Sequence, residues 1–224
     1  MATPDEKAPV APQWLIVANG LQDQLRSVRS GLPAEVNTFK DLHRHIRAVL
    51  FEGIKDGALC NTQGDVHRLL QRCENPNANL KANLNKVQSA AGGELHILLG
   101  GGASDGTRFE DGAATDSKRY FSLSDGRRLD FAITVRDLGH RLDLEGYIFR
   151  LAHPPDADAA SSPRFLRIDM NLSNHKNEHD GLRLHLHPGN NDLQVPIPWM
   201  SPEQVLRLFL YGLPLPEKRR HGQA

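Results

Sequence analysis

The stretch Leu182-Arg183-Leu184-His185-Leu186-His187-Pro188-Gly189 decides how this chain is read. Apolar and polar residues alternate with a period of two, as in a β-strand whose side chains leave on opposite faces. Leu182, Leu184 and Leu186 are expected to face a core, with Arg183, His185 and His187 on the opposite, wet face. Upstream, Arg164-Phe165-Leu166-Arg167-Ile168-Asp169-Met170 alternates in the same way, with Phe165, Arg167 and Asp169 on one side. If the two strands are neighbours, two guanidinium groups and a carboxylate join the imidazole pair. His175 and His179, in the polar loop between them, read as surface residues.

Working outward, Ser201-Pro202-Glu203-Gln204-Val205-Leu206 announces a helix. Ser201 is placed to be the N-cap, Pro202 the first helical residue and Gln204 the partner in a capping box. Val205, Leu208, Phe209 and Leu210 form a wide apolar face that ends at Gly212, expected to cover the open face of a sheet. On the other side of the opening stretch, Tyr120 to Leu123, the turn Ser124-Asp125-Gly126, the alternation from Leu129 to Val135 and the run from Leu144 to Leu151 supply further strands. Five strands joined mostly by short turns read as an antiparallel meander.

The first half reads differently. Apolar residues recur at helical spacing from Trp14 to Arg29, then from a Thr38 cap to Ile54 through Phe39, Leu42, Ile46, Val49 and Leu50. A short helix capped by Asn61 or Thr62 buries Val66, Leu69 and Leu70, and a last one, from about Asn77 to Ala91, stops at Gly92-Gly93. Glu94 to Leu99 alternates again and suggests the first strand. The fold class expected is therefore α+β, an N-terminal helical bundle followed by a twisted antiparallel sheet covered by a C-terminal helix. The divisions are a flexible tail at 1–12, a helical domain at 13–99, a Gly/Ser/Asp/Ala linker at 100–118, a sheet-plus-helix domain at 119–213 and a basic tail at 214–224.

Bulk composition narrows the function classes. Lys plus Arg and Asp plus Glu stand at 27 each, so no overall field draws the chain to nucleic acid or to an acidic membrane, and such a role needs a local patch. Cys60 and Cys73 match neither a redox pair nor a zinc knuckle and read as reduced, buried thiols. No apolar run approaches the roughly 18 residues of a membrane span, and no signal peptide is evident at the start. A cytoplasmic protein is expected.

His185 and His187 are the strongest chemical feature. Two residues apart on a strand, their rings point the same way with Cβ atoms roughly 7 Å apart. One imidazole would take a proton from a ribose 2′-hydroxyl and the other give one to the leaving oxygen, while Arg167 or Arg183 steadies phosphate charge and Asp169 completes the set. A second reading has the pair hold a divalent metal with Asp192, as His-x-His-x4-Asp. That spacing resembles the first motif of the cupin family with Asp in place of Glu, although the later cupin histidine has no counterpart. A third reading makes both plain strand residues on a wet face. Of the two chemical readings the first is taken forward, without metal or cofactor, beside the plain-strand reading, which leaves open whether the chain is an enzyme.

Two further resemblances shape the expected partners. Thr62-Gln63-Gly64-Asp65-Val66 and the segment Asn77 to Gln88 resemble the helix-turn-helix of Xre-type repressors and antitoxins, a likeness that makes Asn79, Lys81, Asn83 and Lys86 the groove-facing residues. The order Arg167-Ile168-Asp169 then His185-Leu186-His187 is similar to small bacterial toxin modules of toxin and antitoxin pairs. Together they imply a bacterial nucleic-acid-handling protein of the toxin and antitoxin or phage-defence kind. Its helical half would bind RNA, DNA or a protein partner, and its histidine face would bind or cleave RNA. The alternative is a non-catalytic adaptor that docks on a larger assembly.

Overall fold

The computed structural model describes residues 31–74, 81, 84–85, 87, 92–101, 119–153, 165–172 and 183–212. These form an α+β arrangement of three helices and one antiparallel sheet of eight strands. The helices are α1 (Phe39–Lys55), α2 (Gln63–Leu69) and α3 (Pro202–Tyr211). Each begins with the same chemistry. Thr38, Thr62 and Ser201 accept a hydrogen bond from the backbone N–H of Asp41, Asp65 and Gln204, whose side chains reach back to the cap N–H. Two otherwise unsatisfied donors are met at each start, which fixes where the helix begins. Gly212, with a positive φ of 72°, ends α3. Lys81, Leu84, Asn85 and Val87 are also helical, in the segment where the periodicity predicts a helix.

The strands are β1 (Leu70–Arg72), β2 (Glu94–Gly100), β3 (Phe121–Ser122), β4 (Arg128–Asp137), β5 (Leu142–Ala152), β6 (Phe165–Met170), β7 (Leu184–Pro188) and β8 (Val195–Pro196). They run in the order β1-β2-β4-β5-β6-β7-β8, with β3 paired to β4, so the expected meander is present from β4 onward. Strands β1 and β8 are additions to the expected set. At three and two residues they are too short to display a period of two, and Pro196, which has no N–H to give, suits an edge. Between Thr134 and Val135 the β4–β5 register slips, their partners being Gly146 and Leu144, so Glu145 is an extra residue on β5.

One face of the sheet is apolar and carries the main core. Leu98, Phe131, Ile133, Phe149 and Ile168 share a cluster with Leu42, Ile46 and Leu50 of α1, Val66 of α2, and Val205, Leu206 and Phe209 of α3. Residues on both sides of the 100–118 segment therefore contribute to one sheet and one core. Phe121, Phe131 and Phe149 stack with centroids 5.9 and 5.0 Å apart, each worth roughly 1.5–3 kcal/mol on burial. Gly100 lies against this stack: a Cβ there would come within 2.2 Å of the Phe131 ring, so only glycine fits.

The other face is also covered, which corrects the expectation of a wet surface. At its β2 end Leu84 packs on Ile97 and Leu99, and the Arg136 guanidinium donates to the carbonyls of Val87 and Gly92. At its β7 end the turn after Pro188 folds back over the strands, as described below. The cysteines depart from expectation too, since Cys60 is exposed and Cys73 half-buried; both are free thiols. The expected helix at Trp14 to Arg29, Leu182, His175, His179 and both tails lie outside the described residues. Among the described residues no helix is long and apolar enough to cross a membrane.

Candidate functional site

Strand pairing builds the site. In the β6–β7 ladder Asp169 stands opposite His185 and Arg167 opposite His187, and in the β5–β6 ladder Arg167 stands opposite Arg150. Arg150 in turn faces Asp130 across β4–β5. Directly opposed residues leave the sheet on the same side. One transverse row therefore reads Asp130, Arg150, Arg167, His187, and beside it lie Asp169 and His185. The adjacency of imidazoles, guanidinium and carboxylate that the alternation suggested is present.

The environment is not the one expected of a wet strand. His185 and His187 are each 1% exposed and Asp169 8%, so these side chains meet in a low-dielectric setting. Both imidazole Nε2 atoms converge on one carboxylate oxygen, Asp169 Oδ2, at 3.9 Å from His185 and 3.4 Å from His187. The two rings sit 4.7 Å apart at 70°. Arg167 donates from Nε to the same Oδ2 at 2.9 Å and from a terminal nitrogen to Asn191. The second oxygen, Asp169 Oδ1, is buried with no hydrogen-bond partner. A desolvated carboxylate oxygen without a donor costs about 1–3 kcal/mol or more, which a cation at that point would offset.

His187 carries a second sign. Its Nδ1 lies 3.3 Å from the Asn190 carbonyl, an acceptor, a placement that suits the tautomer with its hydrogen on Nδ1. In the neutral ring Nε2 is then a bare lone pair that faces a carboxylate. Two acceptors face each other stably only when a proton or a metal ion lies between them. A backbone carbonyl on the far nitrogen is also the usual way a ligating imidazole is oriented. One donor atom each from Asp169, His185 and His187 lie within 4.8 Å of one another. Donors on a tetrahedral ion with bonds of roughly 2.0–2.1 Å stand about 3.3 Å apart, so the widest pair needs to close by about 1.5 Å at most.

The other residues singled out from sequence fall elsewhere. Arg183 donates to the carbonyls of Asn171 and Glu145 at 3.1 and 3.0 Å, at the far end of the polar face. Asp192 is exposed and is not one of the clustered donors, so the carboxylate comes from the neighbouring strand and not from the following loop. Lys81 is exposed, and Asn79, Asn83 and Lys86 lie outside the described residues.

Compared with protein-family models, curated proteins and solved structures, the chain matches none.

Sequence reasoning passed over Asp130 and Arg150. Asp130 is 1% exposed and Arg150 7%, with Arg150 donating to Asp130 Oδ2 at 3.2 Å. Burial pushes the Asp130 carboxyl up to about 7 in spite of the opposing pull of Arg150, and its Oδ1 is another buried oxygen without a partner. Asp130 does alternate with Leu129 and Phe131, which put it on the polar face, but alternation alone does not tell that this face is dry.

Proposed function

We propose that Asp169, His185 and His187 bind one divalent transition-metal ion and that the chain is a metal-dependent enzyme. The observation that carries the reading is the convergence of two imidazole Nε2 atoms on a buried carboxylate whose other oxygen has no donor. Two histidines and one carboxylate suit zinc or iron(II), and three protein ligands leave coordination positions for water and substrate. Bound there, the ion supplies Lewis acidity and an acidified water. The chain's own groups do the rest. Asn190 holds His187 by its carbonyl, Arg167 orients Asp169, and the burial of the set strengthens every charge interaction within it.

Metal-free cleavage of RNA by the imidazole pair, in a nucleic-acid-handling protein or a defence module, uses the same side chains. It leaves Asp169 Oδ1, buried without a donor, unaccounted for. The experiment separates the two. Chelator-treated protein is titrated calorimetrically with zinc, and anaerobically with iron(II). One ion per chain is expected, with affinity in His185→Ala and Asp169→Asn reduced by more than the roughly 10–100-fold that loss of an outer partner costs. Asp192→Ala should bind as the parent does. A parent protein that takes up no ion, yet cuts RNA in the presence of chelator, would replace the metal reading with the acid–base one.

A further inference from the structure

On the helix side the sheet stays apolar while its cover thins. One row of opposed residues there runs Phe131, Phe149, Ile168, Leu186 and Val195, from β4 out to β8. The two phenylalanines are fully buried, Ile168 is 3% exposed, Leu186 is half-buried and Val195 is 38% exposed. The next row repeats the trend, from Leu129 and Leu151, both buried, to a half-buried Leu166. Helix α3 packs chiefly on β5 and α1, short of the strands where exposure rises. A contiguous apolar strip at the margin of a core is a docking surface, whereas a lone exposed leucine is not.

The chain itself arrives beside this strip. Gly31 lies against Trp199 and Leu144, whose atoms are 2.7 and 3.1 Å from where a Cβ would stand. Trp199 is four residues on from Val195, and the Tyr147 hydroxyl of β5 donates to the Met200 carbonyl, so the intervening segment returns from the β8 edge to β5. Ahead of Gly31, outside the described residues, the sequence predicts a helix over Trp14 to Arg29. Its apolar stripe, Trp14, Ala18, Leu21, Leu25 and Val28, recurs every three or four positions, with Asp23 and Arg26 off it. As a helix those residues reach about 24 Å. The three strand spacings from β5 to β8 amount to roughly 14 Å, so the reach is ample.

We propose that residues 14–29 are the occupant of this strip, laying their apolar stripe over Leu166, Leu186 and Val195 beside α3. Tethering favours this segment over a second copy of the chain. Joined to Gly31 through Ser30 alone, it meets the strip at an effective concentration of about millimolar, which a separate molecule at ordinary protein concentrations does not match.

Hydrogen exchange of the full chain, read by mass spectrometry, tests the assignment. Amides of 14–29 are expected to exchange at least about tenfold more slowly than in a synthetic peptide of the same residues. Val195→Asp and Leu21→Asp should each remove most of that slowing, while amides of β4 and β5 keep theirs and Val195→Leu behaves as the parent does. The β4 and β5 amides expose any failure to fold, and Leu21→Asp repeats the test from outside the sheet. Exchange as fast as in the peptide, or slowing that Val195→Asp leaves intact, overturns the inference. So does a parent that sediments as a dimer and becomes monomeric in Val195→Asp, since a second copy is then the occupant.

Discussion

The two faces of the central strands are buried to nearly the same depth and are made of opposite materials. On one, Phe131 and Phe149 are 0% exposed, stacked, and packed under helices. On the other, one residue along each strand, Asp130 and Arg150 are 1% and 7% exposed and form an ion pair. The first arrangement stabilises the fold in proportion to apolar area removed from water. The second removes charges from water and recovers at best most of the cost. A sheet that keeps both spends stability from its apolar side to hold a charged, dry interior on the other, which is what a preorganised site requires.

The contrast can be broken most forcefully at Phe131. Phe131→Ala should lower unfolding free energy by about 3–5 kcal/mol in a denaturant titration, through lost burial and the cavity left in the stack. Zinc affinity of the fraction that remains folded should not change; a large change would mean that the two faces are not independent.

A smaller effect is expected at Asp130, read as a pH dependence. The carboxyl is raised by burial from about 4 to about 7. Below about pH 4 it is protonated in folded and unfolded chains alike. As pH rises the unfolded chain releases the proton first, so stability falls between about 4 and 7, and the loss is complete above that. Asp130→Asn should abolish this fall, so that relative to the parent it gains on the order of 2–4 kcal/mol between those limits. Asp65 and Asp41 pull the other way, each held low by hydrogen bonds from its cap, Thr62 or Thr38, and are common to both proteins. Parallel stability curves for parent and variant, measured without metal, would contradict the assignment.

The smallest effect belongs to the start of α3. Ser201→Ala removes the hydrogen bond to the Gln204 N–H and should cost about 1 kcal/mol in thermal or chemical unfolding, with metal binding untouched.

How much of this was legible varied with the kind of signal. Thr38 with Asp41, Thr62 with Asp65 and Ser201 with Gln204 mark helix starts because capping is local chemistry, read three residues at a time. The alternations through Leu129–Val135, Phe165–Met170 and Leu184–His187 gave strands, faces and the meeting of Arg167, Asp169, His185 and His187. Burial was not legible. Whether a polar face is wet depends on what lies over it, here in part the turn whose Asn190 and Asn191 reach His187 and Arg167, and no periodicity encodes that. The same blindness leads to Asp192 by spacing along the chain, whereas the carboxylate that stands beside the imidazoles is Asp169, across the ladder.

Glu145 shows what one irregular residue does for the whole design. Leu144 and Leu151 both belong to the helix side, yet they are seven positions apart, an odd interval that a regular strand would split between the two sides. The extra residue corrects that parity and turns its own carboxylate toward Arg136, whose side chain is 4% exposed. Deleting Glu145 to straighten the strand would return every neighbour to its present side but take away a carboxylate that a desolvated guanidinium meets. The defect in the weave is thus the thread that ties Arg136 to the strand beside it.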